Sequence, residues 1–164
     1  MTYREGNIND LNGIKKLVLK SWGQFQNELT NENWEKLKTS LSNSKTYTGL
    51  LENSYCAICE NDNLETIGVS FLIAHGNPTE IYDHNWCYIR LVTVDTDYGG
   101  QGIGKQLTQK CIQYAIASNE RTIALHTSEI MNKARHIYES LGFKILKEIG
   151  PRFGKRYWLY TLDI

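Results

Sequence analysis

The run Leu91-Val-Thr-Val-Asp-Thr-Asp-Tyr-Gly-Gly-Gln-Gly-Ile-Gly-Lys105 constrains the fold of this chain more than any other stretch. Leu91, Val92, Thr93 and Val94 are β-branched or bulky residues in an unbroken series, which predicts a strand. The chain then turns through Gly99, Gly100, Gly102 and Gly104. Beyond the turn, Ile103, Leu107, Cys111 and Tyr114 or Ala115 recur at three- and four-residue spacing, the signature of one helix face. Glycines at such a turn allow positive φ and let a ligand approach without meeting a Cβ. The amides of the turn and of the first helical turn lack partners inside the helix and lie at the positive end of its dipole. A strand, a glycine turn and a helix N-terminus together predict an anion site, most often for phosphate. A plain tight turn is the alternative, but Gly100-x-Gly102-x-Gly104 is more glycine than a turn requires.

Position in the chain separates the possible phosphate ligands. A dinucleotide fold usually opens with its glycine turn and needs several more βα units and an acid about 20 residues on. Here only about 60 residues follow, which leaves no room for a second βαβ half. A P-loop closes on Gly-Lys-Ser/Thr, whereas Gly104-Lys105-Gln106 lacks the hydroxyl that would bind magnesium. Both nucleotide assignments fail.

Val-x-x-x-Tyr-x-Gly-x-Gly-Ile-Gly-Lys, from Val94 to Lys105, resembles the acetyl-CoA signature of the GNAT superfamily of N-acetyltransferases. A second segment, Ala134-Arg-His-Ile-Tyr-Glu-Ser-Leu-Gly-Phe143, is similar to that family's A-x-x-x-Tyr-x-x-x-Gly-Phe stretch. Each is moderately specific; the order and spacing of the pair are distinctive. The resemblance implies an α/β, single-domain GNAT fold over residues 1–164, with a mixed, mostly antiparallel central sheet flanked by helices. It also implies acetyl-CoA as co-substrate, and relatives are often homodimers.

Lys and Arg total 18 against 18 Asp and Glu, so no global field draws in nucleic acid or an anionic membrane. No apolar run approaches membrane-spanning length, and Met-Thr-Tyr-Arg-Glu has no signal-like character. Cys56-x-x-Cys59 has the spacing of a redox or zinc pair but falls in an expected strand, where residues three apart point to opposite faces. No second pair has zinc spacing. The expectation is four reduced core thiols, no metal, and a cytoplasmic setting.

In chain order, Thr2 to Glu5 reads as a short strand. Asn9 or Asp10 caps a helix through Leu11, Ile14, Leu17 and Val18 to about Ser21, and a second helix opens near Thr30 or Asn31 with Trp34, Leu37 and Leu41 on one face. Trp22, Phe25 and Leu29 between them suit either core packing or an apolar substrate pocket; the resemblance implies the pocket. Ser42 to Ser54 reads as polar loop. A hairpin of Tyr55–Glu60 and Thr66–His75 turns at Asn61-Asp-Asn63, and a strand over His84–Asp95 leads into the glycine turn. After the helix come a strand at Thr122–Thr127, a helix carrying Ala134, Ile137, Tyr138 and Leu141, and two strands, Phe143–Ile149 and Tyr157–Ile164. Gly142 ends that helix as a C-terminal glycine. The expected order is β-αα-βββ-α-β-α-ββ.

Acetyl transfer to an amine requires that the charged cofactor be held, the amine lose a proton, the oxyanion meet a donor and the thiolate gain a proton. The first demand falls to Gly99, Gly100, Gln101, Gly102, Ile103, Gly104 and Lys105, with Lys105 read equally well as a solvated helix lysine. By resemblance, the backbone of Val92, Thr93 and Val94 pairs with the pantetheine arm, and the Val94 amide meets the thioester oxygen. By resemblance also, Tyr138, four residues before Gly142 and five before Phe143, protonates the thiolate. A phenol's pKa near 10 is close enough to a thiol's for that exchange. Relatives that acetylate protein N-termini place a glutamate base twelve residues before the tyrosine; here His126 stands there, with Glu129 and a water chain as alternatives. Two positions depart from the family pattern. Gly99 replaces the usual Arg or Gln, and Met131 replaces an Asn that contacts the cofactor, with Asn132 beside it. The expected function is transfer of acetyl from acetyl-CoA to a primary amine: a small amine or amino acid, an antibiotic, or a protein amino group. A non-catalytic CoA-binding sensor on the same fold is the alternative. Arg152, Lys155 and Arg156 suit an acceptor carboxylate, and Glu28, Glu32, Glu80 and Asp83 an acceptor cation; both sets equally suit a solvated surface.

Overall fold

A computed structural model describes all of residues 1–164. Seven strands form one sheet in the order β1-β2-β3-β4-β5-β7-β6. They are β1 (Thr2–Glu5), β2 (Tyr55–Glu60), β3 (Thr66–Ile73), β4 (Cys87–Val94), β5 (Thr122–Ser128), β6 (Lys144–Arg152) and β7 (Lys155–Asp163). Every neighbouring pair is antiparallel except β4–β5, which is parallel and registered only at Cys87↔Ile123 and Tyr88↔Ala124. Beyond those residues the two strands part, and the facing edges of the sheet have no partner strand.

Helices cover both faces. Helices α1 (Leu11–Trp22), α2 (Asn31–Leu41) and α3 (Ser44–Asn53) lie on one, where Ile14, Val18, Trp34, Leu37 and Tyr47 pack with Ile58, Phe71 and Tyr88. Helices α4 (Ile103–Ala117) and α5 (Asn132–Ser140) lie on the other, where Cys111, Ala115 and Tyr138 pack with Leu72, Ile89 and Leu125. Burying such side chains contributes about 1.5–3 kcal/mol each. As strand alternation requires, Cys56 faces the first layer and Cys59 packs beside Ile103 and Leu107 on the second. All four cysteines are buried free thiols. No helix is long and apolar enough to cross a membrane.

The segment expected to be polar loop, Ser42 to Ser54, instead holds helix α3. Asn43 caps it by accepting from the Lys45 amide, and Tyr47, 1% exposed, donates to the Leu41 carbonyl at 2.6 Å. Tyr47, Leu50 and Leu51 form a three-residue apolar stripe amid polar neighbours, enough to hold a helix against an existing core but weak as a periodic signal. The last hairpin is also tighter than expected. Strands β6 and β7 extend to Arg152 and Lys155, and the turn is made by Phe153 and Gly154, both at positive φ.

Candidate active site

The glycines of the turn separate by physical role. Gly100 (φ +77°) and Gly102 (φ +79°) are left-handed, with no atom within 4 Å of where a Cβ would stand, so backbone conformation demands glycine there. Gly104 has ordinary helical φ, but a Cβ on it would lie 3.2 Å from Ile137 Cδ1 and 3.6 Å from Val94 Cγ2. It is a packing glycine that lets α4 approach α5 and β4. Gly99, at φ −60° and ψ 149°, has ordinary extended backbone, but a Cβ on it would lie 3.3 Å from the Thr96 carbonyl oxygen. No amide from Gly100 to Lys105 donates within the protein; the first bond of α4 is Gln106 N–H to the Gly102 carbonyl. Lys105 is exposed and unpaired. These free amides fit a diphosphate.

The parted edge of β4 lies next to that turn. Asp95 donates its amide to the Ile67 carbonyl of β3, and Gly68 stands opposite Val94. Antiparallel alternation therefore turns the Val94 N–H and C=O away from β3, toward the gap between β4 and β5. The Val94 carbonyl accepts from Ser21 Oγ at 2.8 Å, leaving its amide free. The same alternation commits the backbone of Thr93, opposite Val69, to β3, so of the expected Val92, Thr93 and Val94 contacts Thr93 is the one whose backbone is already used. A bulge bends β4 just before this point, where Leu91 adopts φ +54° and one residue of β3 spans two of β4. Helix α1 is tied to the turn through Lys20, whose Nζ lies 2.7 Å from Asp95 and 2.6 Å from Asp97. An open strand edge with free polar groups suits an extended, amide-bearing arm. Edge and turn together fit acetyl-CoA.

Tyr138 stands over the gap. It packs with Ile89 and Leu125, the first residues of β4 and β5 past their last pair, and is 7% exposed. Its hydroxyl makes no hydrogen bond within the protein. Burial raises its pKa above the ordinary phenol value, and buried Cys111 beside it is pushed up to about 12. Helix α5 ends in a Schellman motif: Phe143 N–H bonds the Tyr138 carbonyl, Gly142 N–H bonds that of Glu139, and Gly142 has φ +94°. Phe143 packs edge-on to Tyr138 at 6.0 Å, the apolar contact such an ending favours. The Tyr-x-x-x-Gly-Phe spacing therefore fixes the tyrosine through the helix cap.

His126 lies on the opposite face, partly buried on β5. Its Nδ1 meets the Tyr82 hydroxyl at 2.5 Å, and Tyr82 stacks on Tyr88 with centroids 4.1 Å apart. Its Nε2 makes no hydrogen bond within the protein. Burial, then Arg152 and Arg90, lower the His126 pKa to about 4, so the ring is neutral at pH 7. Glu129 is engaged elsewhere: its Oε1 accepts from the Arg156 amide at 3.0 Å and its own amide bonds the Arg156 carbonyl. Met131 Sδ accepts from Thr127 Oγ1 at 3.6 Å, and Asn132 is the exposed first residue of α5. Trp22 and Leu29 pack against the α1–α3 core and Phe25 meets Trp22 edge-on at 5.9 Å, the packing role expected of this stretch. No group of three His, Cys, Asp or Glu side chains is placed to hold a metal ion.

Two neighbours of the site carried no sequence signal. Tyr82, which orients His126, sits in the irregular segment between β3 and β4. Arg90 follows Tyr88 on the same face of β4 and reads in sequence as an ordinary strand residue.

Known proteins share this architecture. The chain is 36% identical over 81 residues to N-acetylaspartate synthetase of Xenopus tropicalis, a match covering 49% of this chain and 28% of that protein. The chain thus spans well under two thirds of this curated relative. Similar structures include a ribosomal-protein-alanine N-acetyltransferase from Brucella melitensis, at TM-score 0.76 and 15% identity with 100% of both chains covered. Another is the PaiA N-acetyltransferase from Thermoplasma acidophilum in complex with coenzyme A, at TM-score 0.77 and 14% identity over 96% of each. The acetyltransferase (GNAT) family model matches residues 19–143, a span from α1 through the Schellman ending of α5. Most of the chain lies inside that match, and the chain belongs to the GNAT acetyltransferase family.

Proposed function

We propose that this chain transfers the acetyl group of acetyl-CoA to a primary amine. The observation that carries this is the unpartnered Tyr138 hydroxyl, held by a helix cap over the gap between β4 and β5. Acetyl-CoA, when bound, supplies an acetyl thioester whose C–S bond is exchanged for a C–N bond to the amine. The amides of Gly100 to Lys105 hold the diphosphate, and the free Val94 amide donates to the thioester oxygen. His126 Nε2, neutral and free, takes the proton that the amine nitrogen gives up; Glu129, already bonded to the β7 backbone, is less available. Tyr138 Oη gives one proton to the departing sulfur and regains it from solvent. The raised phenol pKa suits that exchange, because the environment that raises it also makes a thiolate more basic, as Cys111 illustrates. Four buried free thiols support a reducing setting such as the cytosol.

The test is to incubate the protein with acetyl-CoA and a panel of amines, peptides and aminoglycoside-type antibiotics, and to look for N-acetyl products by mass spectrometry. One acceptor class is expected to gain a single acetyl group with stoichiometric free thiol. Tight acetyl-CoA binding with no acetylated product from any class would favour a CoA-binding sensor instead.

A further inference from the structure

We infer that the acceptor carries a carboxylate near its amine, and that Arg90 holds it with help from Arg152. This rests on the acetyl-transfer reading above. Every other arginine on a strand is engaged. Arg4 bridges Asp10 and Glu60, Arg152 meets Glu80 at 2.8 Å, and Arg156 pairs with Glu148 through two bonds of 2.9 Å and stacks on Trp158. Arg90 alone among them has no carboxylate, no hydrogen-bond acceptor and no aromatic face, although it is anchored on the second strand of the gap's wall and exposed. Strand alternation places it on the face of Tyr88, the face that carries His126 and Tyr82.

The surroundings of His126 are aromatic: Tyr82 at its Nδ1, Tyr88 stacked on Tyr82, and Tyr157 with its ring centroid 5.9 Å from the imidazole. The β6–β7 turn rests on α2, since a Cβ on Gly154 would stand 2.9 Å from Asn33 Nδ2. Beside these aromatic groups, Arg90 on the Tyr88 face of β4 is a guanidinium without a protein partner. Arg152 is brought to this side through its bond to Glu80, two residues before Tyr82, the hydrogen-bond partner of His126. The carboxylate partnered with Arg152, Glu80, is 80% exposed and so can yield to an incoming one. A guanidinium matches a carboxylate in two parallel hydrogen bonds, which also fixes the acceptor's orientation. A carboxylate seated there would in turn offset the two cations that oppose protonation of His126. An acceptor cation is disfavoured by the same arrangement.

The test compares amino acids with their carboxamide counterparts as acceptors, in wild type and in Arg90→Gln and Arg90→Lys. Two readouts are taken: kcat and KM for thiol release, and calorimetric binding of the same amines to protein saturated with CoA. Wild type is expected to favour the acid by about 10- to 100-fold in kcat/KM, mostly through KM. In Arg90→Gln that ratio should fall toward one, and Arg90→Lys should recover part of it; calorimetry should follow the same order. Equal use of acid and carboxamide by wild type, or an equal loss on both in Arg90→Gln, would overturn the inference while leaving acetyl transfer standing. Acetyl-CoA binding without thiol release to any amine would overturn the transfer reading, and this inference with it.

Discussion

Replacing the turn glycines one at a time separates backbone conformation from packing. Gly102 holds φ +79° and ψ 3° at the start of α4, with open space around its missing Cβ. Gly102→Ala therefore meets no clash, only the left-handed penalty of about 1–2 kcal/mol. The stiffer unfolded chain returns about 0.4–1 kcal/mol of that. A net loss of about 1 kcal/mol lowers Tm by about 2–4 °C in a chain of this size. The larger effect should be on acetyl-CoA. Relaxing the turn moves the free amides of Gly100 to Lys105, each contact being worth on the order of 1 kcal/mol, so Kd should rise about five- to tenfold or more. Gly104→Ala is different. Helix propensity favours alanine by about 1 kcal/mol. The added methyl crowds Ile137 Cδ1 at 3.2 Å, the far end of a flexible side chain, at a cost of about 0.5–1.5 kcal/mol for an off-rotamer shift. Those terms nearly cancel, so stability and Kd should change little. Thermal unfolding and calorimetric titration of acetyl-CoA read both variants. If Gly104→Ala loosens acetyl-CoA strongly and Gly102→Ala does not, the division of roles among the glycines is wrong.

Other consequences follow from the same structure. The folded pKa of His126, about 4, lies below its unfolded value of 6.5, so the unfolded chain binds the extra proton first. This contribution to stability is complete above pH 6.5 and declines as pH falls toward 4, by about 2–3 kcal/mol between pH 6.5 and 4.5. His126→Asn should lose that share of the acid sensitivity in urea unfolding; an unchanged pH slope would show that the imidazole is not held neutral. Gly142→Ala forces an alanine to φ +94° at the Schellman position and should cost about 1–2 kcal/mol and slow turnover by displacing Tyr138. Turnover as fast as wild type would separate the helix cap from the tyrosine's placement. Lys20→Met should raise the acetyl-CoA Kd a few-fold by freeing Asp95 and Asp97 at the turn, with the effect shrinking in high salt. A salt-independent effect would argue against the ion pairs.

Most of the architecture was legible because its signals are local. The β4–α4 turn announces itself through glycine, α1 through apolar spacing and α2 through spacing and its Thr30 cap. The cap expected of Asn9 or Asp10 falls instead to Asn7, which accepts from the Asn9 amide in the turn before α1. The Tyr138 helix is marked by its stripe and by Gly142. Helix α3 was hidden because three apolar residues on a polar background suffice when a core already exists to receive them. Within the site, spacing pointed to Tyr138 and the glycines, but four glycines in a row of letters look alike. Only the folded chain distinguishes a left-handed Gly102 from a Gly104 packed on Ile137 and a Gly99 set close to the Thr96 carbonyl. Likewise Arg156 and Arg152 carry equal charge in sequence, yet Arg156 is committed to Glu148 and Trp158 while Arg90, unremarkable by position, is the one left free. Pairing across 8 residues of chain, as in Arg156–Glu148, or 72, as in Arg152–Glu80, is a tertiary property, and no periodicity encodes it.

The most direct measurement is single-turnover thiol release by Tyr138→Phe beside wild type, with acetyl-CoA affinity measured on both proteins. Loss of a positioned acid should slow release by about 10²-fold or more while acetyl-CoA still binds. Release at the wild-type rate with Tyr138→Phe would show that the phenol over the β4–β5 gap does not deliver the proton, and would contradict the mechanism proposed for this chain.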